Sequence, residues 1–168
     1  MTRRKTTLYL DDELLRAAAE RAARSGRQEN DIIEEALRRS GRLTEWERLR
    51  LLEGMAGYRG QTDSATALAK TIATRFPNVV TWYNYGTSLM ASNRYPDAIT
   101  AFRTALTFDS LHVNSYINLA TSAKGLGQLE EALRYYLKAS ALDSMALYRN
   151  NVNHELGRTY VLLDRAAE

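Results

Sequence analysis

Cysteine is absent from all 168 residues. Disulfides and thiol catalysis are therefore excluded, and the composition fits a reducing compartment such as the bacterial cytoplasm. Histidine is scarce. His112 and His154 stand far apart, in neither HExxH nor HxxxH spacing, so no metal site is expected. A glycine-rich phosphate loop is also missing, because Gly54, Gly57 and Gly60 fall in one helix pair and its turn. No apolar run approaches the roughly 20 residues that span a bilayer. The basic start, residues 1–4, leads into alternating residues and then acids, which is not the pattern of a signal peptide. Net charge is a modest +3. With no catalytic constellation to nominate, the expectation is a protein that is not an enzyme and has neither cofactor nor membrane partner.

What charge asymmetry exists lies at the front, where Arg3, Arg4 and Lys5 have no acid beside them. Lys5, Thr7 and Tyr9 alternate with Thr6, Leu8 and Leu10, which predicts one strand with a polar and an apolar face. Asp11 and Asp12 then serve as N-cap and first-turn acid for a helix that buries Leu14, Leu15, Ala18 and Ala22. Gly26 stops it. A second helix opens near Gln28 and turns Ile32, Ile33, Ala36 and Leu37 inward. A segment of about 40 residues or fewer cannot bury a core alone, so a second copy of the chain is the expected support, pairing strand with strand.

These residues resemble a ribbon-helix-helix domain of the Arc/MetJ/CopG type, over residues 3 to about 41. The resemblance implies a dimeric ribbon in the major groove of double-stranded DNA, with base contacts from Lys5, Thr7 and Tyr9. Lysine suits guanine O6/N7, and a threonine methyl suits a thymine methyl. It also implies a phosphate held at the N-terminus of the second helix by Gln28, Glu29 and Asn30. Gln28 departs from the family there, since Ser or Thr is the usual cap. Arg3, Arg4 and Arg27 would add phosphate contacts without sequence preference. The plainer alternative is a solvated ribbon face on a module that only dimerises.

From Trp46 onward the sequence repeats every 34 residues: Trp82 aligns with Tyr116, Asn84 with Asn118, Ala98 with Ala132, Phe102 with Tyr136 and Ala105 with Ala139. Copies span 79–112 and 113–146, a degenerate one about 46–78, and a partial one 150–168. Thr44 and Glu47 make a capping box into the first of these helices, so the predicted domains are 1–43 and 44–168. The two clear copies resemble tetratricopeptide repeats. The expected fold is mostly α, a ribbon-helix-helix followed by an α-solenoid of helix pairs. In the last copy a stripe of Val152, Leu156, Tyr160, Leu163 and Ala166 is expected to pack inward. The apolar Tyr148, Val161 and Leu162 left outside suggest a piece of a longer array.

The tetratricopeptide resemblance implies a groove lined by Tyr83, Asn84, Thr87 and Met90 in one repeat and by Ile117, Asn118, Thr121 and Lys124 in the next. The family's carboxylate clamp needs Lys where Tyr83 and Ile117 stand and Asn where Thr87 and Thr121 stand, so that activity is not expected. Asn84 and Asn118 resemble rungs of a ladder that holds a peptide main chain, since an amide donates and accepts at once. The plainer reading is that both amides are solvated or locally bonded. Together these features predict a dimeric, sequence-specific, nucleoid-associated DNA-binding protein, a transcriptional regulator whose repeats bind a protein or self-assemble. The alternatives are a protein-binding scaffold in which the N-terminal domain only dimerises, and an antitoxin-type autorepressor.

Overall fold

The computed structural model describes residues 43–143 and 153–166, together with Arg24. The expected strand, its two helices and the DNA contacts assigned to Arg3, Arg4, Lys5, Thr7, Tyr9, Arg27, Gln28, Glu29 and Asn30 lie outside the described residues. The described residues hold seven helices and no strand. They are α1 (Glu45–Tyr58), α2 (Thr62–Arg75), α3 (Val79–Ala91), α4 (Tyr95–Phe108), α5 (Val113–Gly125), α6 (Leu129–Leu142) and α7 (Asn153–Ala166). From α1 to α6 each helix packs on the next, α7 packs on α6, and α3 also touches α5. The result is a tetratricopeptide-like helical solenoid.

Local chemistry sets the breaks. Thr44 caps α1 through a reciprocal box with Glu47, its own N–H donating to the carboxylate at 2.8 Å. Asn78 caps α3 by accepting from the N–H groups of Val80 and Thr81 at 2.9 and 3.1 Å. Gly60, Asn93 and Gly127 occupy the turns inside the first three pairs with φ of 68°, 57° and 74°. That left-handed backbone suits glycine and, next best, asparagine.

The core follows the repeat. Ala98 and Ala132, Phe102 and Tyr136, and Ala105 and Ala139 are all fully buried. Small residues sit where helices cross, and one ring per pair fills the space between. At Gly86 the approach is closest, for a Cβ there would stand 2.6 Å from the Phe102 ring. Tyr136 needs more than its aligned phenylalanine does, because its hydroxyl is buried, and the Thr121 hydroxyl supplies a bond at 3.2 Å. Burial pushes the Tyr136 phenol upward, and the Thr121 bond partly offsets this.

The stripe expected on the last helix needs correction. Tyr160 is exposed with Val161 and Leu162, and Thr159 takes the buried position. Leu156 and Leu163 remain partly covered. The buried line runs 156, 159, 163, so the helix is rolled by one residue from the predicted 156, 160, 163. Thr159 is small enough for the close approach, and it donates its hydroxyl to the Glu155 carbonyl at 2.7 Å.

Candidate functional site

Side chains on the first helices of successive pairs join α3 to α5 and α5 to α7. The Asn118 amide on α5 donates to the Tyr83 hydroxyl on α3 at 3.2 Å. Lys124 on α5 pairs with Glu155 on α7, and Arg158 approaches the same carboxylate at 3.9 Å. Partial burial lowers the Lys124 pKa, with Arg158 adding to the shift. Tyr83 is further fixed by its ring, which meets Phe102 at 5.8 Å and His112 edge-on at 5.1 Å.

Most of the expected groove residues are therefore already engaged. Thr87 donates back to the Tyr83 carbonyl at 3.0 Å, Thr121 bonds both the Ile117 carbonyl and Tyr136, and Met90 packs on the core around Leu89 and Phe102. Ile117 is a correction. It is only 5% exposed and packs with Ala120, Tyr136 and Ala139, so it cannot line an open groove. Asn84 differs from all of these. Its side chain is half-buried, makes no hydrogen bond to the described residues, and borders a cleft of about 220 Å³.

That cleft lies between α1, α2 and α3. Trp46, Ile72 and Val80 give it apolar walls, and Arg50, Glu53 and Asn84 also line it. Arg50 and Glu53 are paired. Burial raises the Glu53 pKa, and the charge and hydrogen bond of Arg50 oppose the rise. The expected groove named no residue from the copy at about 46–78, so these wall residues were missed. A strict step of 34 back from Asn84 lands on Arg50, and that signal would have found the pair. Among the described residues no three His, Asp or Glu side chains gather in a way that could hold a metal ion. No described helix is long and apolar enough to cross a membrane.

Residues 113–144, which include α5 and α6, match the family described as tetratricopeptide repeat. A tetratricopeptide repeat is present. The solenoid is similar to that of MamA from Desulfovibrio magneticus RS-1, at 21% identity and a TM-score of 0.68, covering 90% of this chain and 85% of that one. It is also similar to the first tetratricopeptide domain of Spaghetti (RPAP3) bound to an HSP90 peptide, at 18% identity and a TM-score of 0.62, covering 71% and 94%. At such identities the likeness is one of fold. In sequence, a peroxisomal targeting signal receptor of Kluyveromyces lactis is 32% identical over 92 residues, which is 50% of this chain. The chain spans 16% of that relative's length.

Proposed function

We propose that this protein is a protein-binding scaffold whose tetratricopeptide face, along α1, α3, α5 and α7, receives an extended peptide segment of a partner. The observation that carries the reading is the half-buried Asn84 amide, left without a partner beside an open, partly apolar cleft. The amide borders the cleft with no intramolecular bond to break, and a peptide main chain offers both the donor and the acceptor that an amide can use. The Spaghetti domain, similar in fold, was solved with a peptide bound. Recognition of an acidic C-terminus does not follow from that likeness, because Tyr83, Ile117, Thr87 and Thr121 stand at the clamp positions and Lys124 is paired with Glu155.

Panning a displayed library of random dodecapeptides on the full chain tests the proposal. Enrichment is expected, with binding weakened by Asn84→Ala. A pool that never rises above an empty-surface control would refute it.

The DNA-binding reading takes second place. It rests on residues 3–41 alone, on the alternation of Lys5, Thr7 and Tyr9, and the comparisons with known proteins bring nothing to it. Selection from a random DNA pool, with the double variant Lys5→Ala, Tyr9→Ala as control, would test that half. Enrichment of a short repeated site that the double variant fails to bind would support a DNA-reading ribbon. Its absence would leave dimerisation as the reading for these residues.

A further inference from the structure

We propose that the cleft between α1 and α3 is an anchor pocket for one large, uncharged, apolar side chain of a partner protein, with Asn84 bonding the partner's main chain beside it. The inference rests on the peptide-face reading above and narrows it to one end of the solenoid and one kind of residue.

Size comes first. At about 220 Å³ the cleft is smaller than the roughly 300–1,000 Å³ typical of small-molecule sites, and it suits a leucine or phenylalanine side chain. The walls agree. Trp46 and Val80 remain 41% and 55% exposed at its edge, and aromatic residues in such positions dominate binding energy once covered.

Charge narrows the choice further. Arg50 and Glu53 already neutralise each other, so the cleft offers no uncompensated charge to a carboxylate or an ammonium group. A charged occupant would gain no free counter-charge there, whereas an apolar one leaves the pair undisturbed. The main-chain contact is placed by elimination along the face. One repeat on from Asn84, the Asn118 amide is spent on Tyr83, and further along Lys124 is spent on Glu155. With Thr87 and Thr121 back-bonded as well, Asn84 alone among the six expected polar positions keeps its side chain uncommitted.

The test uses the full 168-residue chain and the dodecapeptides enriched by panning. Val80→Glu puts a charge at the cleft mouth while leaving the fold intact, since an acid in the first turn of α3 is favourable to the helix. Circular dichroism would confirm this. The expected result is a peptide consensus with one large apolar residue among uncharged neighbours. Its affinity should fall about tenfold or more in Val80→Glu, as losing one buried apolar side chain implies, and should be unaffected by Lys138→Ala, an exposed position on α6. A photo-crosslinking residue placed at position 80 should label that apolar residue of the peptide.

Peptides that bind equally well to Val80→Glu, or an acidic C-terminal consensus, would overturn the anchor pocket while leaving the peptide face standing. Crosslinks from position 80 to residues 1–42 of the same chain would overturn it too, by making the occupant the protein itself. Failure to enrich any peptide would remove both readings together.

Discussion

At Gly86 a Cβ atom would stand 2.6–2.9 Å from three carbons of the Phe102 ring, a ring with no exposed surface to retreat into. Gly86→Ala should therefore destabilise the protein by about 1–3 kcal/mol, as overpacking does, read as a lower midpoint in denaturant with an unchanged slope. Ser122 presents the opposite case. It is fully buried and its hydroxyl has no hydrogen-bond partner. Ser122→Ala removes that unsatisfied group, and a gain of about 1 kcal/mol is expected. A loss of stability would mean that the hydroxyl has a partner after all. His112 adds a dependence on pH. Burial lowers its pKa, Asp109 opposes the shift, and the start of α5 also disfavours a cation there. Between the lowered folded value and the unfolded value of 6.5, the unfolded chain binds more protons. The stability His112 confers is thus whole above that window and is lost as pH falls through it. Glu53, raised from 4.5, acts in the opposite sense, losing its contribution as pH rises through its folded value. Denaturant titrations at about pH 7.5 and pH 5.5 should show a smaller difference in His112→Asn than in the wild type.

At the scale of elements, the caps are the legible part. Thr44 with Glu47 is readable as a capping box because it needs only local spacing, and the structure forms it. Asn78 is not singled out by the sequence, yet it caps α3 by accepting from two N–H groups while its own N–H donates to the Thr81 hydroxyl. Asn78→Ala should cost about 1–2 kcal/mol, measured by thermal unfolding. The helix pairs fall where the 34-residue period puts them, since both periodicity and turn residues such as Gly60 and Gly127 act within a few residues. The roll of α7 was not legible. A stripe read one residue off still looks apolar in sequence, and only packing against α6 and the pair before it chooses Thr159 over Tyr160.

Across the whole molecule, stability should be uneven, because a solenoid repeat rests only on its neighbours. The pair α3–α4 is covered on both sides, whereas α7 is held by α6, Leu156 and the pairing of Lys124 with Glu155. Glu155→Gln leaves Lys124 partly buried without its counter-charge. Hydrogen exchange in α7 should then speed up by about fivefold, equivalent to about 1 kcal/mol, with α3 and α4 unchanged. Uniform acceleration would show that the described helices open as one unit instead.

The 34-residue period, the small residues at crossings and the rings between them were written in the chain, because each repeat meets an equivalent neighbour in an equivalent way. The expected groove was written there only as a set of positions. Which of its side chains stay available depends on the offset between successive helices. That offset brings Tyr83 to Asn118 and Glu155 to Lys124, buries Ile117, and leaves Asn84 and Arg50 lining one open cleft. Contacts of that kind join residues more than thirty positions apart, and no pattern inside a single repeat encodes them.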